Sequence, residues 1–205
     1  MTRLRIIGIG SRTWVLRRRR ERRIRICSEA VKKRLILGTI NYYVAEDGWR
    51  NVHVDASSRP IWHPVLQCGV PVDYVMDAAQ LTFAEASFDE VRMHHTLEHL
   101  TVHRAGRAVR HVFRVLKPGG VFDVEVPDLD RMCAAWLNCH EDRQGLLQWF
   151  YSEDVEGVLH EPLLNAHLSG WNEELLGAVL SDAGFVAGDR LETGLALRYR
   201  AVKPA

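Results

Sequence analysis

Between Arg34 and Pro127, short apolar runs recur, each closed by a residue that a strand interior tolerates poorly. Leu35-Ile36-Leu37 ends at Gly38, and Asn51-Val52-His53-Val54 ends at Asp55. Val72-Asp73-Tyr74-Val75-Met76 ends at Asp77, Phe88-Asp89-Glu90-Val91-Arg92-Met93 at His94-His95, and Val121-Phe122-Asp123-Val124-Glu125-Val126 at Pro127. Runs this short and this apolar suit strands of a buried parallel sheet. Between the fourth and fifth runs, Ala105, Val109, Val112, Phe113 and Leu116 recur at helical spacing, so 102–115 reads as a helix. Lys117-Pro118-Gly119-Gly120 should stop it, because proline cannot continue a helix and glycine can turn the chain. Residues 128–165 read as helical and irregular, and Trp171 to Ala183 as a helix capped by Gly184. Two final strands, near Phe185–Leu191 and Leu195–Val202, fit an antiparallel edge hairpin. Alternating strands and helices imply an α/β fold, a doubly wound and mainly parallel sheet with an antiparallel C-terminal strand. Ligands of such sheets bind beyond the carboxyl ends of the strands, near the switch in strand order, so residues just after strands are the site candidates.

Charge divides the chain differently. Residues 1–34 hold thirteen Lys or Arg against two Glu, a balance of +11. With 27 bases and 26 acids in all, residues 35–205 keep fourteen bases against twenty-four acids, a balance of −10. The chain thus divides into a basic N-terminal arm or helix, 1–34, and an acidic body, 35–205. The run Arg17-Arg18-Arg19-Arg20 with Arg22 and Arg23 favours a polyanionic partner, nucleic acid or an anionic membrane surface. Trp14-Val15-Leu16 beside it would suit a membrane interface, whereas arginine forks suit phosphates. No apolar run reaches the roughly 18 residues of a membrane-spanning helix. Cys27, Cys68, Cys133 and Cys139 form no CxxC pair, which suits reduced thiols in a cytoplasmic protein, one that could sit peripherally on a membrane.

The ordered set Phe83-x4-Phe88-Asp89-x-Val91, Leu97-Glu98-His99-Leu100 and Phe113-Arg114-Val115-Leu116-Lys117-Pro118-Gly119-Gly120 resembles the class I S-adenosylmethionine-dependent methyltransferases. The later Trp171-x3-Leu175-Leu176-x3-Leu180-x2-Ala183-Gly184-Phe185 is similar to that family's last helix and turn. The resemblance implies a Rossmann-like fold and S-adenosyl-L-methionine as cofactor. It implies that Gly38 and Thr39 form the cofactor turn, that Asp55 binds the ribose hydroxyls, and that Asp77 with Ala78 lies near the adenine amino group. His94 and His95 would meet the methionine part, and Glu98, His99 and His167 would face the acceptor as catalytic candidates. Asp55 and Asp77 could instead cap helices or turns. One departure stands out: the family has a second small residue in its first turn, where this chain has Ile40, whose Cβ would crowd a closely held ligand. A second reading follows, a cofactor-poor binding module of the same fold that docks through its basic arm onto RNA, an anionic membrane or a protein.

Other patterns weigh less. Gly8-Ile9-Gly10 lacks the third glycine of a dinucleotide loop. His95, His99 and His103 would share one helix face, and ligands from a single helix rarely close a metal site, so no metal is expected.

Overall fold

The computed structural model describes residues 32–38, 49–53, 61–63, 68–70, 74–138, 143–151 and 166–205. Residues 1–31 of the basic arm, Thr39, Ile40 and Asp55 lie outside the described residues. Among the described residues, seven strands form one sheet: β1 (Arg34–Leu37), β2 (Trp49–His53), β5 (Tyr74–Val75), β6 (Phe88–His94), β7 (Leu116–Pro127), β8 (Val186–Thr193) and β9 (Ala196–Val202), in the order β5-β2-β1-β6-β7-β9-β8. The first five are parallel neighbours, and β9 runs antiparallel to both β7 and β8. The expected doubly wound sheet with an antiparallel C-terminal strand is what the chain forms. A separate hairpin, β3 (Ile61–His63) with β4 (Cys68–Val70), has no counterpart in the sequence reading.

Among the described residues, four α-helices accompany the sheet: α1 (Val102–Val115), α2 (Leu129–Asn138), α3 (Arg143–Tyr151) and α4 (Glu173–Asp182). Helix α1 turns Ala105, Ala108, Val109, Val112 and Val115 inward, all wholly buried. Each such valine contributes about 1.5–3 kcal/mol over its exposed state. They join Val91, Met93, Phe122 and Val124 in the core, together with Leu176 and Leu180 of α4. Helix α4 starts two residues later than expected, because Asn172 is its cap: Asn172 Oδ1 accepts from Leu175 N–H at 3.0 Å. Trp171 instead forms a bridge with Asp128. At the helix's far end Gly184 takes φ +99°, the left-handed turn that glycine permits.

The strand following α1 differs from expectation. Lys117-Pro118-Gly119-Gly120 ends the helix yet lies within β7, as an irregularity: Phe88 pairs with Leu116 and Glu90 next with Val121. Backbone bonds to Lys203 on both sides hold it, Gly119 N–H to Lys203 O and Lys203 N–H to Gly120 O, both 2.9 Å. Pro118 thus occupies a bulge, where no ladder donor is required of it.

Side-chain alternation gives the sheet two unlike faces. Val91, Met93, Phe122 and Val124 face the core. The intervening residues Glu90, Arg92 and His94 on β6, Asp123 and Glu125 on β7, and Arg198 and Arg200 on β9 form a ladder of ion pairs on the other face.

Candidate functional site

The switch in strand order falls at β1, whose partners β2 and β6 lead away in opposite directions. Gly38 follows β1 directly with φ +77°. A Cβ built on it would stand 2.0 Å from Thr96 Oγ1, so no side chain fits between the ends of β1 and β6. Thr96 Oγ1 itself lies 3.2 Å from Leu37 O and 3.0 Å from His94 O, tying the two strand ends together.

Asp77 follows β5 and caps a single 3-10 turn, Ala78–Gln80, its Oδ1 accepting from Ala79 N–H at 2.8 Å. Arg104 of α1 donates to Asp77 Oδ2 at 2.7 Å. The capping alternative is therefore part of this residue's place in the fold, and the carboxylate stays about a third exposed. Ala78 is wholly buried beneath the turn.

The two histidines after β6 part company. His94 ends the strand on the polar face, and its Nε2 meets Asp123 Oδ1 at 2.9 Å. Asp123 also receives a fork from Arg198, Nε at 2.7 Å and Nη2 at 2.6 Å. Burial raises the Asp123 carboxyl, but the His94 and Arg198 hydrogen bonds outweigh it and hold the group well below the usual carboxylate range. His95 takes φ +46°, unusual for a residue with a side chain. Its ring lies between two acids, Nε2 3.1 Å from Glu125 Oε1 and Nδ1 3.3 Å from Glu98 Oε1. Burial disfavours its charge, yet the two carboxylates prevail and push it up to about 9, so it is cationic at neutral pH.

Glu98 and His99 occupy a second 3-10 turn, Leu97–His99, ahead of α1. The segment before α4 is laced onto this turn: Leu168 N–H and Ser169 N–H both donate to Glu98 O, at 2.8 and 3.1 Å. That lacing brings His167 against His99, ring centroids 4.9 Å apart. His99 Nδ1 bonds Ala166 O at 3.2 Å, and His167 Nδ1 bonds Trp149 O of α3 at 3.0 Å. Burial lowers the His167 pKa below the ordinary imidazole value despite the attraction of Glu98, which leaves the ring neutral at pH 7. Trp149 also stands edge-on to His95, centroids 5.9 Å apart.

The structure thus gathers His95, Glu98, His99 and His167 at one place, and sets Gly38, His94 and Thr96 at the β1 and β6 ends. The expected common helix face for His95, His99 and His103 does not exist: His95 precedes the 3-10 turn, His99 ends it, and His103 lies in α1. Sequence reasoning missed Thr96, Asp123, Glu125 and Arg198. Their signal was present in part: acids at alternate positions of Val121–Val126 face arginines at alternate positions of Ala196–Val202, Asp123 opposite Arg200 and Glu125 opposite Arg198.

Residues 37–124 match the family described as Methyltransferase domain. The fold recurs in a S-adenosylmethionine-dependent methyltransferase of Methanosarcina mazei, at 19% identity over 86% of this chain and 94% of that one, TM-score 0.52. It recurs in the Burkholderia thailandensis 1,6-didemethyltoxoflavin-N1-methyltransferase with bound 1,6-didemethyltoxoflavin and S-adenosylhomocysteine, at 22% identity over 85% of this chain and 72% of that one, TM-score 0.52. A Haloferax volcanii complex of the Trm112 methyltransferase activator with a methyltransferase is also similar, at 14% identity over 88% of this chain and 86% of that one, TM-score 0.55. No curated protein sequence matches the chain.

Proposed function

We propose that this chain is a class I S-adenosylmethionine-dependent methyltransferase, a reading supported by its match to a methyltransferase domain and by its fold, and that it holds its cofactor across the strand ends and turns the methyl group toward Glu98, His99 and His167. The observation that carries the reading is Gly38. It sits at the switch point with a left-handed φ and no room for a Cβ, the backbone turn on which a ligand can lie close. Asp77 offers a partly exposed carboxylate at the next strand end but one, within the reach of an amino donor. Thr39 and Asp55 would complete the set, as the turn's next residue and as the ribose acceptor.

S-adenosyl-L-methionine supplies a sulfonium methyl for in-line displacement. The chain's own work is to align the acceptor and take its proton. His167, neutral and with Nδ1 engaged by a carbonyl, keeps Nε2 as its acceptor nitrogen. His94 acts at a distance, fixing the end of β6 through Asp123. Ala78 supports the adenine side by packing beneath the turn that Asp77 caps. His95, cationic between Glu98 and Glu125, fixes the electrostatics of the acceptor side.

Calorimetric titration tests this. The chain should bind S-adenosylmethionine, and Asp55→Ala or Asp77→Ala should each weaken binding by about 10–100-fold, the loss of a charged hydrogen bond worth about 1.5–3 kcal/mol. A folded chain with no measurable affinity would refute the enzyme reading and favour the cofactor-poor module.

A polyanionic partner, met in the cytoplasm or at a membrane periphery, is a further part of the proposal. Beyond the arginines at 17–20, 22 and 23, helix α1 carries His103, Arg107, Arg110, His111 and Arg114 around an open cavity of about 380 Å³. No helix among the described residues is long and apolar enough to cross a membrane. Six arginines meeting phosphates of single-stranded RNA would cost about 300-fold in affinity between 50 and 200 mM salt, from a slope of roughly −0.7 per contact. Anisotropy with an RNA oligonucleotide measures it. Deleting residues 1–34 should flatten that dependence, and salt-independent affinity would refute the reading.

A further inference from the structure

We propose that Glu98, His99 and His167 form a binding site for a zinc-class divalent cation. The proposal stands on the donor set and its second layer; while the cation is bound, the Nε2 of His167 is its ligand and does not act as the base of methyl transfer. One ligand atom from each of the three residues lies within 4.8 Å of the other two. Two imidazoles and a carboxylate are a donor set that zinc accepts, with a fourth position left open. Ligands of a tetrahedral zinc bonded at about 2.0–2.1 Å stand roughly 3.3 Å apart. The three groups therefore need to close by about 1.5 Å at most, which small side-chain rotations supply.

Two features separate this cluster from a chance meeting of polar groups. The first is the carboxylate. Glu98 is 1% exposed; its Oε1 is paired with the His95 ring, Nδ1 at 3.3 Å, and its Oε2 has no hydrogen bond. His95 divides its charge between Glu98 and Glu125, and a second cation beside Glu98 would offset the burial of the remaining oxygen. The second is the orientation of both rings. His99 Nδ1 faces Ala166 O and His167 Nδ1 faces Trp149 O. A ring nitrogen that meets a carbonyl must carry the proton, which leaves Nε2 of each histidine with its lone pair. Histidine ligands to metals are fixed in this way, the outer nitrogen donating to a backbone carbonyl or carboxylate.

The three ligands come from two segments that the fold holds together. Glu98 and His99 are consecutive in the turn after β6, and His167 arrives on the strap whose amides at Leu168 and Ser169 donate to Glu98 O. A cation bound there would staple that strap to the sheet end. The site also joins residues some 70 positions apart, a spacing that no short motif encodes.

The test uses the full chain without a histidine tag, stripped with chelator and titrated with Co²⁺, which reports its coordination by visible absorption. One equivalent should saturate a low-symmetry d–d band, and Zn²⁺ but not Mg²⁺ should displace it. His99→Gln and His167→Gln should each weaken Co²⁺ binding by more than about 100-fold, beyond the 10–100-fold typical of an outer-layer partner. Glu98→Gln should do the same, and near-UV circular dichroism establishes that each variant is folded. If Glu98→Gln unfolds, the two histidine variants decide alone, since neither ring is fully buried. His103→Gln, an exposed histidine of α1, should bind as the parent does. An absent band in the folded parent, or a band that His99→Gln and His167→Gln leave unchanged, overturns the proposal. S-adenosylmethionine titration of the same stripped chain reads the cofactor site separately, so the two readings fail independently.

Discussion

Replacing Asp123 with alanine should lower the unfolding free energy by about 3–5 kcal/mol, the usual cost of removing one partner from a buried charge pair. Asp123 is 1% exposed and carries His94, the Arg198 fork and Arg92 at 3.6 Å. Without it, one imidazole and two guanidiniums face each other on a half-covered sheet. Urea denaturation measures the loss, and Asp123→Asn, which keeps shape and one acceptor, should lose less. The same residue predicts an acid limb. Its folded pKa lies below the unfolded value of about 3.9, so its contribution is fully present above that value. It is lost as pH falls through the folded value. Stability should therefore drop below about pH 4, and Asp123→Asn should flatten the drop. Glu125, also held low by His95 against its burial, keeps a residual slope in that variant.

Gly38→Ala should abolish cofactor binding and cost about 2–4 kcal/mol of stability. The new methyl meets Thr96 Oγ1 at 2.0 Å, Cγ2 at 2.8 Å and Cβ at 2.9 Å, and the φ of +77° disfavours any side chain. Displacing Thr96 also disturbs its hydroxyl contacts to Leu37 O and His94 O. Thermal denaturation and calorimetric titration check both effects. Combining Gly38→Ala with Thr96→Gly should recover part of the stability, because the two positions are in contact and their effects are not additive. The φ strain should remain. A Gly38→Ala chain that still bound S-adenosylmethionine with parental affinity would remove the main support for the cofactor placement.

Local periodicity made β1, β6, α1, β8, β9 and nearly all of α4 readable in the sequence. Those segments hold their own pattern over enough residues to fix both type and face, as Ala105, Val109 and Val112 do on α1. Lys117–Gly120 misled because proline and glycine mark a turn and a bulge equally well, and only the pairing with Lys203 chooses between them. The hairpin Ile61–His63 with Cys68–Val70 was unreadable because three-residue strands are too short for a period to show. At the site, the strand-end rule found Gly38, Asp77, His94 and His95 as positions. It could not say that His94 would turn to the polar face and His95 to Glu98, since that depends on a left-handed φ at His95. Nor could spacing bring His167 to His99, because the strap's backbone bonds to Glu98 do that work.

The placement of β9 between β7 and β8 has a consequence for synthesis. Asp123 leaves the ribosome 75 residues before Arg198. At roughly 5–20 residues per second, it waits about 4–15 s for its main partner. Through that interval β7 has an open edge, the kind of surface on which chains pair wrongly. Asp123 and Glu125, still without Arg198, then act as guards, since acids on one strand repel the same acids of an identical strand from a neighbouring chain. The residues that lock the finished sheet are thus the same ones that keep the nascent strand to itself until β9 arrives.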